Sequence, residues 1–159
     1  MSTSTTERWY TIKEAAALTG LPASTLRYYE SIGVIAPVSR GATSGHRLYG
    51  EADLDELMWI ACLAATGLSV SDMRTYVANG RAGAAAAGDQ IRLLEQQAER
   101  LRAEAEHLAV RQQYVDLKVS YWQAVQAGDD AGATRIGQQA GLLADRLKRR
   151  PGSRAEDAS

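Results

Sequence analysis

The sequence contains a single cysteine, Cys62, among 159 residues. One thiol excludes a framework of intramolecular disulfides, and it also excludes a zinc or iron–sulfur site that needs several thiolates. A reducing compartment is the best fit to this composition. We therefore expect a protein with no bound metal and no other cofactor.

Long apolar runs are also missing. No stretch of about 18 apolar residues occurs, which excludes a membrane-spanning helix, and the polar start MSTSTTER lacks the apolar core of a signal peptide. Phosphate-binding patterns are missing too, because there is no G-x-G-x-x-G, no P-loop, and no strand before the NGRAGAAAAG run. These absences predict a cytoplasmic protein that binds no membrane and is not an enzyme.

Positive charge is scarce and local. Eighteen Lys and Arg residues face 19 Asp and Glu residues, for a net charge of −1, so the molecule as a whole is no polycation. Residues 20–50, however, contain Arg27, Arg40 and Arg47 but only one acid, Glu30. Any surface that binds nucleic acid must therefore be local, and the positive charge is concentrated in this short stretch.

Short helices and a hairpin are predicted in the first half of the chain. Thr11 and Glu14 have the spacing of a capping box at the start of the first helix, which Gly20 ends. A second helix is predicted from about Pro22 to Ser31. Residues 34–49 place proline and glycine between β-favouring pairs, which indicates a small hairpin, here called the wing.

Two further helices are predicted after the wing. The third extends from about Glu51 to Gly67, and the fourth from Ser69, a possible cap, to Val77. In the third, Leu54, Met58, Ala61 and Ala65 are expected to form the core stripe. Trp59, Ile60 and Leu63 then point elsewhere, so that this helix is apolar on nearly every side.

A long heptad pattern follows from Asp89. Apolar or small residues recur at alternating steps of three and four, here called the seam: Ile91, Leu94, Ala98, Leu101, Ala105, Leu108, Gln112, Val115, Val119 and Trp122. A helix over 89–126 would be roughly 57 Å long at ~1.5 Å per residue, too long for the rest of a small chain to cover. We therefore expect a second chain to cover it. The alternative, an intramolecular bundle, has only residues 131–147 to supply another helix.

Two features of the seam concern the partner helix. Ala98 and Ala105 permit its close approach, and Gln112 is expected to fix the register. These expectations hold only if the seam is a dimer interface.

The N-terminal pattern suits a DNA duplex, with one helix in the major groove and the wing on the backbone. The strings YTIKEAAALTGLPASTLRYYESIGVI, SGHRLYGEADLDEL and GLSVSDMRTYV resemble the DNA-binding domain of the MerR family of transcriptional regulators. TLRYYE and GHRLY are the most specific segments. The resemblance implies a mainly α fold, namely a winged helix-turn-helix domain with a small β-hairpin wing, followed by a long dimerisation coiled-coil helix.

With this resemblance, the chain is expected to have six segments. They are a flexible N-terminus (1–8), a MerR-type DNA-binding domain (9–78), a flexible connector (79–88), a coiled-coil dimerisation helix (89–126), a short C-terminal helix (127–147) and a disordered tail (148–159).

The resemblance also implies partners. Family members are homodimers whose antiparallel coiled coil holds two DNA-binding modules on a pseudo-palindromic operator of double-stranded DNA. They typically activate by bending and untwisting a promoter, so RNA polymerase holoenzyme is an expected partner and the nucleoid the expected place of action. Two alternatives stay open: a repressor or architectural protein without inducer, and a coiled-coil adaptor that binds other proteins.

Site residues carry over by motif position. Arg27 and Tyr28 would contact bases or nearby phosphates, Arg47 and Tyr49 would contact phosphates from the wing, and Thr11 from the first helix. The remaining candidates for DNA contact are Ser24, Thr25, Arg40 and His46. Leu26 and Tyr29 are expected in the core, because the second helix must pack on its neighbour.

The sequence departs from the family pattern at three positions. Pro22 stands where a small capping residue is usual, Ser24 where a basic residue is usual, and His46 where an aromatic residue is usual. These departures put the contacts at the start of the second helix in doubt.

Cys62 is the candidate sensor. A lone cysteine in the third helix resembles the MerR-like subgroup that answers aldehydes and other electrophiles, whereas the absence of any later thiol excludes thiolate metal sensing. The alternative is that Cys62 is a buried small hydrophobe, as most free cysteines are.

Overall fold

The computed structural model describes residues 8–148. The expectations for the N-terminus and the tail therefore fall, apart from Arg8 and Lys148, outside the described residues. The chain divides into two compact units, residues 1–94 and 95–159. Between residues 8 and 148, no helix is long and apolar enough to cross a membrane.

The first unit contains the short elements. In chain order they are β1 (Tyr10–Thr11), α1 (Ile12–Thr19), α2 (Ala23–Ser31), β2 (Ser39–Arg40), β3 (Arg47–Tyr49), α3 (Glu51–Ala65), α4 (Val70–Ala82), a 3-10 turn (Gly83–Ala86) and the beginning of α5 (Ala87–Ala127). The second unit contains the rest of α5 and α6 (Asp130–Lys148).

Local signals set the ends of the helices. Thr11 and Glu14 form the predicted capping box, with the Glu14 N–H donating to Thr11 Oγ1 at 3.3 Å and the Thr11 N–H to Glu14 Oε2 at 2.8 Å. Gly20 ends α1 in the left-handed region at φ 75°. Ser69 caps α4 by accepting from the Asp72 N–H at 3.0 Å. The capping predictions at Thr11 and Ser69 are confirmed.

The wing belongs to a three-stranded antiparallel sheet of order β1-β3-β2. Tyr10 pairs with Tyr49, and Arg40 pairs with Arg47. The hairpin was predicted, but β1 was not, because it has only two residues and forms through pairing with a distant strand. As a result β3 is a central strand, and it contacts α1 and α3.

The core of the first unit lies among α1, α2, α3, α4, β3 and the start of α5. Leu26 and Tyr29 are buried, as predicted. The stripe expected on α3 is wrong in part: Leu57 and Ile60 are its buried residues, while Met58 is exposed. The helix is turned relative to the expected stripe, since it must pack on both α1 and α4.

The expected connector at 79–88 is helical instead. Residues 79–82 end α4, the 3-10 turn follows, and α5 has begun by Ala87. Alanine is the strongest helix former, and residues 84–87 are all alanine, so the run favours helix over an open linker. Gln90 also ties the start of α5 to α4, because its Nε2 donates to the Tyr76 carbonyl at 3.0 Å.

In the second unit, α6 packs along one stripe of α5. Gly128 has a φ of 74° in the turn between the helices, and Asp129 caps α6 by accepting from the Gly132 N–H at 2.9 Å. The buried positions of α6 are small ones, Gly132, Ala133 and Ala140, together with Leu143. A Cβ at Gly137 would lie 3.8 Å from the Tyr121 ring, so the two helices approach closely there.

Candidate nucleic-acid interface

Helix α2 presents a polar and aromatic face to solvent. Ser24, Arg27 and Tyr28 are exposed, while Leu26 and Tyr29 face the core, and Thr25 is half-buried. Positions three and four apart lie on the same side of a helix. The predicted contact residues of α2, apart from Thr25, therefore form one accessible face.

A cationic hollow lies beside this face. Its lining comes from the start of α1, from α2 and from the wing: Thr11, Ile12, Lys13, Arg27, Arg40, His46 and Arg47. Five of the residues that the sequence predicts for DNA contact thus meet in one concave surface. Such a concentration of cationic side chains on a chain of net charge −1 is a local electrostatic site of the kind that binds phosphate.

Lys13 is a member of the hollow that the sequence analysis missed. It is exposed in the first turn of α1, two residues after the Thr11 cap. The signal was available, because a basic residue beside a helix N-terminus already predicted to approach DNA supplies charge at that point.

Thr11 has its hydroxyl engaged within the chain. Its Oγ1 donates to Glu14 Oε2 at 3.0 Å, and the backbone and side-chain hydrogen bonds from Thr11 lower the pKa of the Glu14 carboxyl. A phosphate at Thr11 must therefore compete with this carboxylate for the hydroxyl proton.

The two wing arginines differ in accessibility. The Arg40 side chain is 51% exposed and donates from Nη1 to the Gly45 carbonyl at 3.3 Å, whereas the Arg47 side chain is 22% exposed. His46 is exposed at the turn of the hairpin. The wing thus presents Arg40 and His46 outward and holds Arg47 closer to the protein.

Tyr49 is not available for the predicted phosphate contact. Its side chain is 0% exposed, because β3 is the central strand and Tyr49 packs into the core. Burial, with a further contribution from the negative charge of Glu30, raises the pKa of its hydroxyl above the ordinary value of 10.0. The assignment of Tyr49 to the DNA surface is therefore corrected to a core residue.

Cys62 is exposed on α3. The alternative that it is a buried hydrophobe does not hold for this chain by itself. Near it in sequence, Trp59 contacts the ring of Tyr76 with 5.5 Å between ring centroids, and Met58 is exposed. Among residues 8–148, no cluster of three or more His, Cys, Asp or Glu residues could hold a metal ion.

Residues 10–79 match the family model described as MerR HTH family regulatory protein. Residues 10–79 are a MerR-family helix-turn-helix domain. The family is one of DNA-binding regulatory proteins and not of enzymes.

Two curated relatives show how far the likeness extends. An uncharacterized HTH-type transcriptional regulator of Haemophilus influenzae is 28% identical over 132 residues, which cover 81% of this chain and 95% of that protein. The uncharacterized HTH-type regulator YyaN of Bacillus subtilis is 39% identical over 71 residues, 45% of this chain and 51% of YyaN. The match to YyaN therefore spans about half the length of that relative.

A solved structure extends the comparison beyond the DNA-binding domain. HiNmlR, described as a MerR family regulator lacking the sensor domain and bound to promoter DNA, matches with a TM-score of 0.63 and 25% identity. The match covers 81% of this chain and 96% of HiNmlR. The winged helix-turn-helix fold followed by a long helix is thus shared with a MerR-family structure.

Proposed function

We propose that this chain acts as a homodimer that binds a pseudo-palindromic promoter operator and controls transcription by distorting the DNA. The observation that carries the proposal is the cationic hollow beside the exposed face of α2. The description of HiNmlR as bound to promoter DNA supports the same partner for this chain.

The two parts of the interface have different tasks. Arg27 and Tyr28 project from the exposed face of α2, and an arginine can recognise guanine through two hydrogen bonds in the major groove. Arg40 and Lys13 in the hollow supply charge for phosphates, which fixes the position of the protein but carries no sequence information. Arg27, which also lines the hollow, joins the two parts.

The seam supports a second copy as partner. Its large residues are exposed in the single chain, for example Leu108 at 50%, Val115 at 59% and Trp122 at 65%. The buried and half-buried positions of α5 in the second unit form a different stripe, which includes Val110, Tyr114 and Tyr121. Because α6 packs on that other stripe, the seam remains open for a partner helix.

The pattern of residue sizes supports an antiparallel arrangement. An antiparallel pairing that uses all ten seam positions joins Ile91 to Trp122, Leu94 to Val119, Ala98 to Val115, Leu101 to Gln112 and Ala105 to Leu108 of the partner subunit. Each alanine then lies opposite a larger residue, which fills the space between the helices. A parallel pairing in register would place alanine on alanine and tryptophan on tryptophan.

Two concave surfaces along the seam match this pairing. One is lined by Leu108, Arg111, Gln112, Val115 and Asp116, and the other by Val115, Lys118, Val119, Trp122, Gln123 and Gln126. Residues at steps of three, four and seven form the hole that receives one knob of a partner helix in a coiled coil. In the antiparallel pairing the knobs are Leu101 and Leu94 of the partner subunit.

Distortion of the promoter is the proposed means of control. Bending or untwisting a short duplex costs of order a few kcal/mol. Two DNA-binding domains fixed on a coiled coil can supply this energy through contacts to the DNA backbone. RNA polymerase holoenzyme is then the partner that reads the altered promoter.

The proposal is tested by selecting duplexes from a random library with the purified full chain and mapping the contacts by footprinting. We expect inverted half-sites, bound by two chains per duplex, as measured by gel shift and sedimentation. Selection of no sequence, or of a single half-site by one chain, would contradict the proposal.

We also propose that Cys62 links this activity to electrophile or redox stress. Its exposure on α3 supports the proposal, because a thiol must be accessible to react. Modification there would change how α3 packs with its neighbours and so the geometry of the DNA-binding domain.

A further inference from the structure

The carboxylate of Glu30 joins the last turn of α2 to both strands of the wing. Its Oε1 accepts from Arg47 Nε at 3.3 Å and lies 3.9 Å from Arg40 Nη2. Its Oε2 accepts from the Val38 N–H, just before β2, at 3.2 Å. One side chain therefore holds the wing against the helix that faces the DNA.

Two charge placements here would each be unfavourable alone, and each offsets the other. Arg40 and Arg47 lie directly opposite one another in the antiparallel pair, where like charges repel. Glu30 lies in the last turn of a helix, where the helix dipole disfavours an acid. Placing the carboxylate between the two guanidinium groups relieves the repulsion and makes the acid favourable.

The same arrangement lowers the charge that the wing offers to DNA. The Glu30 side chain is only 13% exposed, and its negative charge lies against Arg40 and Arg47, two of the arginines that line the hollow. Affinity for the DNA backbone depends on how many phosphates are neutralised with release of counterions. A guanidinium group already paired with a carboxylate contributes less to that process than a free one.

We propose that Glu30 is a positioning residue that limits the sequence-independent part of the DNA affinity of this protein by restraining the wing arginines and offsetting part of their charge. The proposal rests on the proposed function as a DNA-binding regulator. Wing contacts to phosphate favour every sequence equally, whereas α2 recognises bases. Weakening the wing contacts therefore lowers the affinity for operator and random DNA by the same factor.

The test compares Glu30→Gln with wild type on two probes: a duplex selected by the wild-type chain and a random-sequence duplex of the same length. Affinities are measured over a series of salt concentrations. We expect Glu30→Gln to bind both duplexes about five- to tenfold more tightly at roughly 0.1 M salt, with a salt slope steeper by about one. The ratio between the two affinities should stay the same.

Two further variants separate charge from structure. Glu106→Gln removes the same charge from an exposed position in α5, and it should leave both affinities and the salt slope unchanged. The double variant Glu30→Gln with Arg40→Gln restores the net charge of the wing and its Glu30 contact. It should return the affinity for both duplexes to near the wild-type value.

The outcomes are distinct. If Glu30→Gln fails to tighten binding to both probes, or if the double variant binds them more weakly than wild type, then Glu30 only stabilises the wing and the proposal is overturned. If the wild-type chain binds neither probe, it is the proposed function that fails. The NMR signal of Arg47 Nε–H in the free protein checks the contact itself, which Glu30→Gln should weaken and Glu106→Gln should not.

Discussion

The first unit and the seam of α5 differ in the exposure of their apolar side chains: the first unit buries them, and the seam exposes them. In the first unit Leu26, Ile60 and Tyr49 are 0% exposed, and six elements contribute to one core. Along the seam, Trp122 is 65% exposed, and Val115 is exposed to a similar degree. The core of the first unit forms within one chain, whereas the seam would be buried only by a partner helix. Folding of the DNA-binding domain and assembly of the proposed dimer should therefore be separable.

The largest expected effect comes from a charge in the seam. Leu108→Asp, and likewise Leu101→Asp, should abolish dimerisation and with it operator binding, because the carboxylate would be buried without a partner. The first unit should stay folded, since its core does not include these residues. Sedimentation measures dimerisation, gel shift measures operator binding, and circular dichroism measures the folding of the first unit.

Leu142→Asp is the matched control for this change. Leu142 is an 81% exposed leucine of α6 that lies outside the seam, so its replacement should affect neither assembly nor binding. A dimeric Leu108→Asp variant would refute the heptad assignment.

A smaller effect on operator binding is expected from a substitution on the exposed face of α2. Arg27→Ala should change the preference at one position of each half-site by roughly 1–3 kcal/mol if the guanidinium contacts a guanine. Binding to a panel of operators with single substitutions measures this. Arg135→Ala, an equal loss of charge on α6, should change no preference. A uniform loss across the panel would reassign Arg27 to the backbone.

The comparison also separates what the sequence could predict from what it could not. Caps such as Thr11 with Glu14, and the heptad steps of the seam, depend on residues a few positions apart, and the structure has a capped helix and one continuous helix there. The burial of Tyr49 depends on β1, which forms only through pairing with a strand about 40 positions away in the chain. No local periodicity reveals such a pairing.

The arrangement of the hollow was predictable only in part. The residue types of the wing and α2 indicated a cationic surface, but the sequence could not show that Glu30 lies between Arg40 and Arg47. Register across a hairpin decides which side chains face one another, and it depends on the turn and on burial. The same limit applies to α3, where the helix packs on two sides and the buried stripe is not the one expected.

A still smaller effect is expected for Tyr49→Phe. Within residues 8–148, the buried Tyr49 hydroxyl has no hydrogen-bond partner, so its removal should stabilise the fold by about 1 kcal/mol. Operator affinity should not change. Thermal unfolding and gel shift measure both, and Tyr28→Phe, at an exposed position, should leave stability unchanged. A loss of operator affinity in Tyr49→Phe would restore Tyr49 to the DNA surface.

Alkaline pH provides a second measurement on Tyr49. Its folded-state pKa is raised, so the unfolded chain loses the proton first as pH increases. The free energy of unfolding of wild type is therefore unaffected by this group below pH 10.0 and falls as pH rises from there through the folded-state pKa. The Phe variant should therefore lose less stability than wild type above that pH.

The smallest effect on operator affinity is expected at Cys62. Treatment with an electrophile such as N-ethylmaleimide should change transcription from the selected promoter while operator affinity stays nearly constant, because the proposed control is exerted through DNA shape. Cys62→Ser should remove the response and keep binding. Its hydroxyl costs little at an exposed position, and Cys62→Ala checks that cost. If both variants still respond, or if mass spectrometry finds the wild-type thiol unmodified in the folded dimer, Cys62 is no sensor. The remaining interpretation is then a regulator that acts without an inducer.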